Sequence, residues 1–267
     1  MIRSPVVAGQ FYPASPEELK RQIASFLTEE VQRENVKGVV SPHAGYMFSG
    51  PVVGAVYSRI EIPDRTVILG PNHTGKGGCF SIMTEGGWRT PLGEVKIDSS
   101  LGKDILKNSK YIEEDTAAHA FEHSIEVQLP FLQYLNPQVS FVPICLSSST
   151  YSDYEDVAHA ISEAIKSTKE KVLIIASSDM THYEPQSVAK EKDEKAIEVI
   201  LNLDEKLLLE RIQEFNISMC GYVPTVIMLI ACKELGATDT ELVKYQTSGD
   251  VIGDYSQVVG YAGIIIR

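Results

Sequence analysis

Apolar residues along this chain fall into two alternating patterns. Short β-branched runs, "VKGVV", "TVILG", "VLIIAS" and "VSFVPICL", read as buried strands. Between them lie stretches with apolar residues at helical spacing. "SPEELKRQIASFL" predicts a helix with Ser15 as N-cap, Pro16 at the first helical position and Glu18 closing a capping box. "SGPVVGAVYSRI" predicts a second, with Ser49 near its cap and Pro51 in its first turn. "HSIEVQLPFLQYL" puts Ile125, Leu129 and Leu132 on one helical face. "SDYEDVAHAISEAIKST", the Lys- and Glu-rich stretch from about 187 to 215, and "YVPTVIMLIACKELG", stopped at Gly236, supply the remaining helices.

"CFSIMTEGGWRTPLGEVKID" predicts two short strands around its Gly and Pro turns, and Pro143 marks "VSFVPICL" as an edge strand. "ELVKYQTSGD" and "SQVVGYAGIIIR" read as closing strands. Strands alternate with helices throughout, and no linker, charge block or repeat divides the chain. The expected fold is α/β, a single domain over 1–267 with a largely parallel, mixed central sheet flanked by helices on both faces.

Composition narrows the function. The 267 residues are 43% hydrophobic and 22% charged, ordinary values for a globular protein. Lys plus Arg number 24 against 36 Asp plus Glu, a formal charge of −12, and no basic stripe overrides it. Nucleic acid is therefore not expected as a partner. No apolar stretch approaches the roughly 20 residues of a membrane span. The opening "MIRSPVVAGQFYPAS" has no sustained apolar run, so no signal peptide is expected. Four cysteines without C-x-x-C spacing fit reduced thiols and a cytoplasmic location.

Three of the strand runs end alike. Each is followed within a few residues by a metal-ligand or acid–base side chain: His43 in "SPHAGY", His73 in "GPNHTG", Asp179 and His182 in "SSDMTHY". Ligands of open α/β sheets bind beyond the carboxyl ends of the strands. If these strands are parallel neighbours, the four side chains converge on one crevice. Taken singly, each histidine reads more readily as a solvated or capping loop residue; it is their recurrence past three strands that points to a site.

Cys220 in "SMCGYVPT" stands just before a helix, where unpaired amides favour a thiolate, at once a nucleophile and a soft metal ligand. Its bland reading is a small buried hydrophobe. Cys145 and Cys232 read as core and Cys79 as structural. In "AHAFEHSIEVQLPF", His119 and His123 are four apart, as are Glu122 and Glu126. Of the pair, His123 is expected to point into the crevice, and His159 to lie on a helix surface.

"SPVVAGQFYP", "PHAGYMFSG", "GPNHTG", "EHSIEVQLPFLQ", "SSDMTHY", "MCGYVP" and "TSGDVIGDYSQVVGYAG" together resemble the Memo family, collinearly over the whole chain. This is the protein B component of the AmmeMemoRadiSam group. The resemblance implies a fold similar to class III extradiol, non-haem iron dioxygenases, with a metal at the strand ends. It places His43, His73 and Cys220 as the metal ligands. His182 takes the place of the acid–base histidine, and Asp179 and His123 are the remaining polar members of the site. It further implies iron(II), with copper or zinc as rivals, redox chemistry, a small-molecule or peptide ligand, and the other AmmeMemoRadiSam proteins as partners.

A thiolate where those dioxygenases carry a carboxylate is softer and more electron-donating, so dioxygenase activity does not follow from the fold. Three readings stay open: a metal-dependent redox enzyme, a non-catalytic peptide- or metal-binding module, and a metal-free Cys–His–Asp hydrolase. The last leaves His43 and His73 unexplained.

Overall fold

The β-branched runs become strands whose two faces are both buried. The computed structural model describes residues 1–28 and 31–267. In the first half of the chain, β1 (Ile2–Arg3), β2 (Gly38–Ser41), β3 (Arg65–Pro71), β4 (Phe80–Ile82), β5 (Gly87–Thr90), β6 (Gly93–Ile97) and β7 (Ile112–Glu114) alternate with helices α1 (Pro16–Phe26), α2 (Tyr46–Ser58) and α3 (Ser99–Asn108). In the second half, helices α4 (Leu129–Leu135), α5 (Tyr151–Thr168), α6 (Gln186–Leu201), α7 (Glu205–Glu214), α8 (Tyr222–Glu234) and α9 (Gly249–Ile252) alternate with β8 (Ser140–Leu146), β9 (Val172–Ser177), β10 (His182–Glu184), β11 (Thr240–Thr247) and β12 (Val258–Ile266).

The strands join one mixed sheet with a parallel centre, β6-β8-β3-β9-β2, and β12 antiparallel to β2 beside it. Successive residues point to opposite faces. On β3, Val67 and Leu69 pack toward α3, α5 and α8, while Ile68 packs toward α1, α2 and α4. Burial on both faces is why these strands read as unbroken apolar runs. Among the described residues, no helix is long and apolar enough to cross a membrane.

Because β2, β3 and β9 are parallel neighbours, their carboxyl ends share one edge. β12 runs the other way and so begins at that edge, where Val259 pairs with His182 of β10. The crevice is thus set by topology.

Several local expectations are corrected. Pro143 lies inside the sheet, not at an edge, with β3 on one side. On the other side β6 pairs only as far as Phe141, and β4 takes over at Ile144. The Pro143 carbonyl accepts from Met83 N on that second side, so its missing donor falls at the seam between the two partners.

Helix α2 starts at Tyr46, with Gly45 rather than Ser49 as its N-cap, because Phe11 O accepts from Tyr46 N at 2.7 Å and the N-terminal segment extends it. Pro51 therefore sits within the helix. Ser15 is the N-cap of α1 but makes no side-chain cap bond, so the capping box does not form. Residues 80–97 hold three strands rather than two. The helix expected from His123 shrinks to a single 3-10 turn, Glu126–Gln128, and α4, leaving His119 and His123 in an irregular segment with no common helical face.

Candidate metal centre

His43 follows β2 and is almost wholly buried. Asp179, two residues past β9, accepts its backbone N–H at 2.8 Å. The ring tautomer follows from proton counting. Ser177 Oγ donates its one proton to Ser124 O at 2.7 Å and accepts from Gln128 Nε2 at 2.9 Å. Its third contact, 3.0 Å from His43 Nδ1, must have the imidazole as donor. The Nε2 lone pair of His43 is left for the crevice. Burial, then the neighbouring histidines, holds the ring neutral by pushing its pKa well down.

His73 and His123 share one carboxylate. Glu122 is fully buried and accepts four N–H groups: His73 N at 2.7 Å, His73 Nδ1 at 2.9 Å, and the backbones of His123 and Ser124 at 2.9 Å each. Burial opposes its ionisation, but the His73 hydrogen bond and charge and the Ser124 amide outweigh it and hold its pKa at about 2. Burial lowers the His123 pKa, against the opposing pull of Glu122. The His73 and His123 rings stack with centroids 4.8 Å apart, and the His43 centroid stands 5.2 Å and 5.5 Å from them. One ligand nitrogen from each of the three lies within 4.8 Å of the others. Neutral imidazoles oriented through their other nitrogen are a usual metal-ligand set.

Cys220 precedes α8, with its Sγ 3.3 Å from His43 Nε2 and 3.3 Å from Asp179 N. The acidic thiol expected from the helix start is not found. Burial, then Asp179, pushes its pKa up. The first amide, Gly221 N, is already spent on Ser178 Oγ at 3.0 Å. A Cβ at Gly221 would meet Ser177 O at 2.3 Å and Ser178 Cβ at 2.4 Å, so glycine alone lets α8 approach β9 this closely. Gly221→Ala is expected to cost about 1–3 kcal/mol by overcrowding, read as a lowered urea midpoint, and to displace Cys220.

His182 opens β10. Its N–H donates to Ser218 Oγ at 2.8 Å and its Nδ1 to Ser218 O at 2.9 Å, so Nε2 is the free acceptor. The Cys–His–Asp reading would pair His182 with Asp179; the structure instead orients His182 through Ser218, and Asp179 Oδ1 accepts from the amides of His43 and Ala44. Burial raises the Asp179 pKa to about 6.

These residues border a cavity of about 540 Å³ walled by Phe11, Tyr183, Val259 and Tyr261, and no Lys or Arg among the described residues lines it. Tyr183 sits at the mouth in the left-handed region, φ 58, largely exposed. His119 is buried elsewhere and donates through Nε2 to Ser81 O at 3.1 Å, while His159 is exposed beside Glu234.

The crevice thus gathers His43, His73, His123, Asp179, His182 and Cys220 in one place. Sequence reasoning missed Glu122 as the residue that holds two of the histidines, and with it Ser177, Gln128, Ser218 and Gly221. The signal for Glu122 was its place directly beside His123 in "FEHS".

A family model described as Memo-like protein matches residues 3–265. A MEMO1 family protein of Methanopyrus kandleri is 47% identical, with 100% of this chain and 99% of the relative covered. Relatives under the same family description in Methanothermobacter thermautotrophicus and Thermotoga neapolitana are 43% and 44% identical; the alignments cover 98% and 100% of this chain and 99% and 100% of theirs. A crystal structure of an uncharacterized Escherichia coli K12 protein superposes with TM-score 0.58 at 11% identity, covering 86% of this chain and 100% of that one, a likeness of fold.

Proposed function

This chain belongs to the Memo-like protein family, and from that premise we propose that it is a metal-binding protein with a redox-type site in the crevice. The observation that carries this is the convergence of three imidazole nitrogens within 4.8 Å at the carboxyl ends of parallel strands. His43 and His73 hold the ion through Nε2, since each Nδ1 is engaged by Ser177 or Glu122. Cys220 completes the set as a thiolate, supported by its sulfur standing 3.3 Å from His43 Nε2. His123 is the alternative third donor, supported by its place in the 4.8 Å group.

The donor chemistry fits. Two imidazoles and a sulfur suit iron(II), copper or zinc, and iron(II) is the ion we propose. Bound iron or copper would supply one-electron chemistry to an oxygen-donor ligand. Around it, Asp179 fixes the backbone that carries His43, and Ser218, by accepting from Nδ1–H, selects the neutral tautomer of His182 whose Nε2 lone pair is free to accept a proton from that ligand. Aromatic walls without a cationic side chain favour a small, uncharged or weakly acidic molecule over a phosphate. Four unpaired cysteines support a reducing, cytoplasmic compartment.

The test is metal analysis of protein prepared without oxygen or an affinity tag. Stoichiometric metal is expected in wild type, and its loss in His43→Ala and His73→Ala; Cys232→Ala, in the core, keeps it. Comparing Cys220→Ala with His123→Ala identifies the third donor. Unchanged metal content in both histidine variants would sink the proposal.

A further inference from the structure

We infer that Arg3 is a positioning residue for this centre, acting through the backbone of residues 119–126. The inference rests on the metal-centre reading only for its functional meaning. Residues 115–125 form no regular element, yet His119 and Glu122 are buried, so their carbonyls need donors from outside the segment. Arg3 supplies them. Its Nε donates to His119 O at 2.6 Å, Nη2 to Glu122 O at 2.5 Å and Nη1 to Glu126 Oε2 at 2.6 Å. The guanidinium lies 4.0 Å over Trp88 and is nearly buried.

The residue whose carbonyl Arg3 grips, Glu122, is the one whose carboxylate orients His73 and His123. Glu126 returns the clamp to the N-terminal segment, accepting from Tyr12 OH at 2.6 Å and from Val6 and Val7 amides at 3.1 Å. That segment also delivers Phe11, whose ring meets His123 edge-on at 5.0 Å. A fixed planar fork serves these three spread acceptors from three separate nitrogens, whereas the three donors of lysine all sit on one nitrogen.

The test reads imidazole N–H signals by NMR in metal-free protein, with zinc affinity alongside. In wild type, a protected Nδ1–H of His73 is expected, held by Glu122. Arg3→Lys, which keeps the buried positive charge, is expected to expose that proton to exchange and to weaken zinc binding about 10-fold or more. The Nδ1–H of His43, held by Ser177, serves as the internal reference and stays protected. Glu126→Gln, which loosens the same clamp from its other end, is expected to act in the same direction and carries the test if Arg3→Lys does not fold. A folded variant of either kind with wild-type His73 protection overturns the inference. Since the signal is read without metal, it decides on Arg3 whether or not the wild type takes up zinc.

Discussion

Glu122→Ala is expected to destabilise the protein by about 3–5 kcal/mol, the cost of leaving several buried N–H donors without their acceptor. Alanine would strand His73 Nδ1 and three backbone N–H groups inside the protein. Each buried donor left unpaired costs about 1–3 kcal/mol, offset where the segment relaxes toward water. A denaturant midpoint unchanged within error would contradict the role assigned to this carboxylate.

The same residue predicts a pH signature. Its folded pKa of about 2 lies below the ordinary 4.5, so its stabilisation is fully present above pH 4.5. As pH falls from there through about 2, the folded state must take up a proton it binds poorly, and the contribution, about 3 kcal/mol, is lost. Glu122→Gln should be less stable at pH 7 and show a flatter fall across that window. An acid limb identical to wild type would mean that another carboxylate governs it.

His182→Ala is expected to keep the metal and lose whatever redox turnover the wild type displays by roughly 10²-fold, the range for removing a positioned acid–base group. The reason is geometric. Ser218 accepts from Nδ1 and leaves a single lone pair at Nε2, while His43 and His73 with one further donor already make up the proposed ligand set. Metal analysis and turnover on one preparation separate the two effects. If the metal leaves with the ring, His182 is a ligand and not a proton acceptor.

Much of this site was legible because it hangs from local signals. A strand buried on both faces must be apolar along its length, so β2, β3 and β9 announce themselves, and the polar residue just beyond each end stands out against them. His43, His73, Asp179 and His182 were found that way, Cys220 from its place just before a helix and His123 from its place at the start of an expected one, and the likeness of the motifs then assigned their roles. The α/β alternation and the central parallel strands rest on the same local pattern.

What tertiary structure alone decided depends on partners far apart in the chain. Pro143 is tolerated inside the sheet because two different strands meet beside it. Helix α2 begins early because Phe11, from the N-terminal segment, accepts its first amide. The pKa of the metal-free Cys220 thiol is raised because burial and Asp179 outweigh a helix start whose first amide Ser178 has taken. Glu122 was only half of an i, i+4 repeat until the fold brought His73 to its side. Periodicity and capping act over a few residues and can be read in sequence. Desolvation and hydrogen-bond partnership are fixed by which distant groups share a buried space, and that is known only once the chain has closed on itself.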